Sequence, residues 1–132
     1  MGKCIVLVGA GGPTQEKFFK NLKDEVYPDF KVITTNLVRC QLFGTSKKSN
    51  SKMEANLVNT MAYQYLAQGK DVIVNTGMLR AQERKNFISY MKDIDDAEIS
   101  CIEIFDESEQ SKLLARQVVE VDEGWRGVMR IR

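Results

Sequence analysis

One stretch of this chain constrains its fold more than any other: Lys3-Cys4-Ile5-Val6-Leu7-Val8-Gly9-Ala10-Gly11-Gly12-Pro13-Thr14-Gln15-Glu16-Lys17. It reads as an apolar strand, a glycine-rich turn and a helix start. A strand and helix joined this way invite comparison with the phosphate-gripping signature Gly-x-x-x-x-Gly-Lys-Ser/Thr. There, backbone amides cradle phosphates, the Lys reaches the β/γ-phosphates and the hydroxyl takes Mg²⁺. Counted from Gly9, the second glycine falls on Thr14, the lysine on Gln15 and the hydroxyl on Glu16. The turn is there; its charges are not.

The rest of the chain has a matching rhythm. Cys4–Val8, Val72–Val74 and Ile99–Phe105 are short apolar runs of the kind buried in parallel sheets, and Lys31–Thr34 is a weaker, β-branched fourth. Between them lie helical stripes: Phe18, Phe19, Leu22 and Val26; Met53, Leu57, Met61 and Tyr65; Phe87, Ile88 and Met91; Leu113, Leu114 and Val118. Tyr27-Pro28-Asp29 ends the first helix and Gly69 caps the second, while the small polar residues from Gly44 to Ser51 form a loop. Alternation of this kind predicts a three-layer α/β/α domain with a mainly parallel sheet of about four strands, one domain over residues 1–132. Its ligands bind beyond the carboxyl ends of the strands, at Gly9–Gln15, Thr35–Arg39, Asn75–Met78 and Asp106–Ser108.

Composition removes several chemistries. The chain has no His, which excludes histidine metal sites, histidine bases and Ser-His or Cys-His nucleophile pairs. Cys4, Cys40 and Cys101 are odd in number and lie in or beside apolar runs, so buried reduced thiols and a cytoplasmic setting are expected. Cys101 has no basic neighbour to activate it, and Met53, Met61 and Met78 read as packing; no metal site is expected. A net charge of +1 supplies no global attraction to nucleic acid or membrane, and no apolar run approaches a membrane span. A dinucleotide fingerprint fails too: its third glycine falls on Thr14, and no acidic residue ends the second strand.

The order of these pieces resembles the P-loop kinase domain of polynucleotide kinases, especially the bacteriophage type, and more broadly the zeta-toxin and nucleoside-kinase-like P-loop kinases. The likeness is ungapped from Lys3 to about Leu22, where the family reads strand, Gly-x-Pro-Gly-Ser-Gly-Lys-Ser-Thr, helix. It resumes at Val32–Gly44, against a family Asp-Asp-x-Arg, and again at Gly69–Asn75 and Gln82–Phe87. The resemblance implies a P-loop kinase-like fold, and the departures fall where the family does its chemistry. The base that accepts the acceptor hydroxyl's proton is Asn36 here, and an amide has no site to take that proton. Arg39 stands at the position implied to touch acceptor phosphate. The third loop's Asp and Thr-Asn become Asn75, Gly77 and Met78, and the lid segment Ser108–Val121 offers Arg116 rather than a basic run.

Phosphoryl transfer depends on an electrostatic clamp. Glu16 puts an anion where Mg²⁺ and phosphate meet, and like charges at ~4 Å repel by about 4 kcal/mol at an effective dielectric of ~20. Lys17 does not substitute if the helix begins as in the family, because consecutive helical residues diverge by ~100°.

Three classes of function remain, the third being a small nucleic-acid-binding protein whose association falls steeply with salt. In the first, the chain is a degenerate P-loop kinase kept as a binding or inhibitory protein, with Gln15, Glu16 and Asn36 marking lost catalytic positions. A protein partner is expected, self-association is an option, and no cofactor is required; by analogy with the phage enzymes, the setting is a host cytoplasm. In the second, a nucleotide or oligonucleotide end still binds, with ATP and Mg²⁺, through Gly9, Gly11, Gly12, Thr14, Lys17, Arg39, Arg84 and Arg116. The bland alternatives stand beside these: glycines that only permit a turn, Asn36 and Arg39 as a helix cap and a surface charge, and Arg80, Arg84 and Lys85 on a solvated helix face. The tail Trp125-Arg126-Gly127-Val128-Met129-Arg130-Ile131-Arg132 is a candidate surface for a partner or nucleic acid, Trp125, Arg126, Arg130 and Arg132 being its interaction residues; alternatively Trp125 and Val128 close the core.

Overall fold

The computed structural model describes residues 2–94, 97–104 and 124–131. The first apolar run is β1 (Lys3–Val8), followed by α1 (Pro13–Asn21), β2 (Lys31–Thr34), α2 (Thr35–Phe43), α3 (Ser51–Ala67), β3 (Val72–Gly77), α4 (Ala81–Met91), β4 (Glu98–Ile104) and β5 (Gly127–Ile131). All pairings are parallel, in the order β2-β3-β1-β4-β5. Among the described residues the sheet has five strands, close to the about four expected. The fifth lies in the arginine-rich tail, whose Val128, Met129 and Ile131 offer too short an apolar alternation to stand out by pattern.

Parallel strands buried on both faces need apolar residues at every position, and β1 supplies them. Cys4, Val6 and Val8 face one layer with Val72, Val74, Ile99 and Cys101; Ile5 and Leu7 face the other with Ile73, Ile102 and Ile104. Helices α2, α3 and α4 cover the first face through Val38, Val58, Ala62, Leu66, Phe87 and Met91, and α1 covers the second through Phe19. Burial pushes the Cys4 thiol far above its ordinary pKa, so it packs as a small hydrophobe.

Two helix stripes and one cysteine differ from their sequence reading. In α3 the buried ridge is Val58, Ala62 and Leu66, one residue on from the expected Met53–Tyr65 row; Leu57, Met61 and Tyr65 flank it and Met53 is exposed. The shift is about 100° of rotation, and the small Ala62 lets the helix approach the sheet closely. After α1 the chain widens into a π-helical turn at Leu22–Val26, which rephases the row, so Leu22 is buried and Val26 is 52% exposed. Cys40 is exposed on α2 rather than buried. Leu113, Leu114, Val118, Arg116, Arg132 and the Asp106–Ser108 strand end lie outside the described residues. No described helix is long and apolar enough to cross a membrane.

Candidate functional site

The strand order reverses at β1, which carries β3 and β2 on one side and β4 and β5 on the other. A crevice beyond the carboxyl ends is expected at such a point. A cavity of about 430 Å³ lies there, walled by the turns after β1, β2 and β3 and by the first turns of α1, α2, α3 and α4.

The β1–α1 turn bends sharply on glycines. Gly12 has φ +98° and ψ −176°, a conformation reserved in practice for glycine, and Pro13 then opens the helix. Gly9 lies against the Gln15 side chain and 3.1 Å, from a would-be Cβ, to the Ile104 carbonyl oxygen. Gln15 itself is 4% exposed and turns back into the loop. Its Oε1 accepts from the Gly11 N–H at 2.9 Å, and its Nε2 donates to Asn75 Oδ1 at 2.8 Å. The two bonds define the amide's orientation, since only the oxygen can accept from a backbone N–H. Thus the side chain at the signature's lysine position takes up one of the turn's own donors. Asn75, at the carboxyl end of β3 and 7% exposed, completes a neutral clasp between two strand ends.

Around this clasp the expected residues are dispersed. Glu16 is exposed at the cavity rim, and Asn36 is an exposed wall residue; Thr14 and Lys17 are exposed and do not line the cavity. Asn36 is not a helix cap. Thr34 caps α2, its Oγ1 accepting from Leu37 N–H at 3.2 Å. Arg39 is no loose surface charge: its Nε lies 2.8 Å from Glu54 Oε1, and Glu54 Oε2 accepts from Asn50 N–H at 2.7 Å. Asn50 in turn caps α3 through Met53 N–H, so cap, carboxylate and guanidinium form one linked unit.

Arg84 overturns its reading as part of a solvated helix face. It is fully buried, and its Nη1 donates to the carbonyl oxygens of Met78 (2.9 Å) and Leu79 (2.8 Å). Those bonds hold the β3–α4 turn, where Met78, 2% exposed, takes a left-handed φ of +46°. Trp125 is half-buried against the core, but Val128 is 46% exposed and does not close it. Arg126 is exposed and lies 3.7 Å from Glu98 Oε1; Arg130 belongs to β5.

The sequence reading missed Glu54, Thr76 and Glu83. Thr76 Oγ1 is buried with no hydrogen-bond partner among the described residues. Glu83 is half-buried in the first turn of α4; burial raises its pKa above the ordinary carboxylate value and Glu54 adds to this, while Arg80 and Arg84 act the other way. The Asn50–Glu54 spacing was the available signal for a helix cap, and Glu83 was visible only as an interruption of a basic run.

Compared by sequence, the chain matches no family model and no curated protein. Compared by structure, it is similar to a de novo designed P-loop fold protein at 12% identity and TM-score 0.63, covering 98% of this chain and 82% of that one. The chain has a P-loop kinase-like fold. The same architecture relates it to a chain of the Pnkp1/Rnl/Hen1 complex, at 16% identity and TM-score 0.60 over 92% of this chain and 40% of that one. A gluconokinase from Sinorhizobium meliloti is similar at 12% identity and TM-score 0.56, over 98% and 81% of the two chains. Likenesses at these identities speak for the P-loop fold alone.

Proposed function

We propose that this P-loop kinase-like chain is a catalytically degenerate binding or inhibitory protein, directed at a protein partner. The observation that carries the reading is the Gln15 amide lodged in the turn, taking the Gly11 N–H and tied to Asn75. A P-loop offers phosphate a set of free backbone donors and a lysine cation. Here one donor is engaged from within, the cation is a neutral amide, and Glu16 faces the same space. These residues do not fit a magnesium–triphosphate group, so no phosphotransfer step is assigned to them. The phage polynucleotide kinase resemblance adds, by analogy, a virus-encoded factor working in a host cytoplasm.

The convergence of four helix N-termini on the cavity favours a second reading, retained nucleotide binding, because each terminus attracts negative charge. Thermal melting with ATP, GTP and mononucleotides, with and without Mg²⁺, separates the two. Ligand at ~100 times its dissociation constant raises stability by about 2.7 kcal/mol. We expect no shift, and no labelled phosphate transferred to 5′-hydroxyl DNA or RNA. A shift with Mg²⁺-ATP refutes the proposal. The triple variant Gln15→Lys, Glu16→Ser, Asn36→Asp is expected to recover nucleotide binding, because the glycine turn that shapes the nest is intact.

A further inference from the structure

The orientation of one buried amide bears on what the cavity of about 430 Å³ can hold. Gly11 N–H donates to Gln15 Oε1, which turns Gln15 Nε2 toward Asn75 as a donor at 2.8 Å. Asn75 therefore meets it with Oδ1, and its own Nδ2 is left pointing away from the clasp. Asn75 is 7% exposed and lines the cavity, and its Nδ2 forms no hydrogen bond with another described residue. That nitrogen is not sealed from solvent, as the Thr76 hydroxyl is. A deeply held amide thus presents N–H donors to the cavity. The helix ends agree with it. Thr34 and Asn50 cap α2 and α3, whereas the N-termini of α1 and α4 have no side-chain cap. Both uncapped ends reach this cavity, α1 tied to Asn75 through Gln15 and α4 following it along the β3–α4 turn. Uncapped first-turn N–H groups carry partial positive charge and take an acceptor. Against this, Glu16 and Glu83 in the walls raise the cost of every negative charge brought in. The balance favours one charge spread over two acceptor atoms, not the several charges of a polyphosphate.

We propose that this cavity receives a single carboxylate group, with Asn75 Nδ2 and the uncapped first turns of α1 and α4 as its donors. The inference deepens the binding reading above and rests on the exclusion of magnesium–triphosphate. Hydrogen bonds to an ionised acceptor are the strong ones, which a neutral ligand of the same shape does not make. Two sources carry the group: a free small carboxylic acid, or an Asp or Glu side chain of a protein partner. Glu83 tunes the binding through its own proton. The groups around it are Arg80 and Arg84 on α4, Glu54 on α3, Arg39 on α2 held by Glu54, and Glu16 on α1. Burial holds the Glu83 proton on above the ordinary carboxylate range, and the protonated group no longer repels an anion. Binding therefore tightens as pH falls through the Glu83 titration, for a ligand that stays ionised.

Nuclear magnetic resonance titration of the isotope-labelled full chain follows the Asn75 side-chain amide signals directly, at about 0.15 M salt, where exposed charges are largely screened. The probes are N-acetylglycine for the free source and end-blocked Gly-Asp-Gly and Gly-Glu-Gly for the protein source, with N-acetylglycinamide as the neutral counterpart. We expect a saturable shift with at least one carboxylate and none with the neutral amide, and tighter binding at mildly acidic than at mildly alkaline pH. Asn75→Asp keeps an acceptor for Gln15 Nε2 but turns the cavity donor into a charged oxygen. It is expected to weaken binding roughly tenfold or more, read on the backbone signals of α1 and α4, its melting curve showing that it folds. Glu83→Gln is expected to tighten binding and to flatten the pH dependence. Glu25→Gln, an exposed control with the same change of charge elsewhere on the surface, leaves affinity unchanged. Binding by N-acetylglycine alone assigns a small acid, and binding by the tripeptides assigns a side chain. No saturable shift with any carboxylate, equal binding of the neutral amide, or unchanged affinity in Asn75→Asp overturns the proposal. Mg²⁺-ATP titrated into the same protein is read separately: its binding defeats the exclusion of triphosphate, whereas silent carboxylates with silent ATP defeat this inference alone.

Discussion

The turns after β1 and β3 stand side by side at the sheet's centre and are held in opposite ways. The β1–α1 turn relies on backbone freedom at Gly12 and a neutral side chain, Gln15, folded back upon it. The β3–α4 turn carries a non-glycine residue, Met78, at φ +46° and is held by a buried charge, Arg84, on two carbonyl oxygens. Asn75 joins them through the Gln15 amide. Both turns are held by internal bonds, one by a neutral amide pair and the other by a buried guanidinium.

The largest effect is expected where a charge does the holding. Replacing Arg84 by Met keeps much of the apolar volume but leaves the Met78 and Leu79 carbonyls without their donor. Hydrogen bonds to charged groups contribute ~1.5–3 kcal/mol each, and a buried acceptor left alone costs more than the bond was worth, so a loss of about 3 kcal/mol is expected. Urea unfolding measures it. A loss under ~0.5 kcal/mol, the range of an ordinary surface substitution, would put Arg84 back on a solvated face. Arg84→Lys retains the charge but loses the fork, and is expected to fall between the two.

Next is the neutral clasp. Gln15→Ala, Asn75→Ala and the double variant form a thermodynamic cycle in which each single change costs about 1–2 kcal/mol and the pair couples by about 1 kcal/mol. Additive single effects would mean that the amide bond links the two turns in geometry only. Gly12→Ala tests the backbone side of the same turn. An added Cβ at Gly12 meets no atom within 4 Å, so any cost comes from conformation. About 1–2 kcal/mol is expected for the strained φ/ψ, read again by urea unfolding; a neutral result would show that the turn relaxes.

How much of this could be read beforehand follows from which interactions are local. The strand–turn–helix unit at Lys3–Lys17, the parallel α/β class and the location of the crevice are written in short apolar runs and glycine positions. The departures from the family pattern at Gln15, Glu16 and Asn36 were legible for the same reason, as residue identities. Arg84 and the Gln15–Asn75 bond were not: the latter spans 60 residues, and a buried arginine has the same spelling as an exposed one. The ridge of α3 was misplaced because Met and Tyr outweigh Ala by hydrophobicity, whereas close helix–sheet approach favours Ala62 at the contact. β5 was missed because a parallel edge strand takes its pairing from β4, not from its own pattern.

The smallest effect lies where the two turns share a titrating neighbour. Glu83 opens α4 just after the Met78 turn and faces Glu16 across the cavity, and burial raises its pKa. The unfolded chain keeps an ordinary glutamate, so between the two titrations the native state holds the proton and the unfolded state does not. Stability then falls as pH rises through that interval. Above the raised pKa the wild type carries the full penalty, and below the ordinary value it carries none. Glu83→Gln has no such titration, so the difference in unfolding free energy between variant and wild type should drift in the variant's favour as pH rises and level off beyond it. The group is partly solvated, which keeps the drift modest. Urea unfolding of both proteins across the acidic range gives the slope directly. A drift of the opposite sign would mean that Arg80 and Arg84 outweigh burial at this carboxylate, and that the β3–α4 turn, like Arg84 within it, is organised by paired charge throughout.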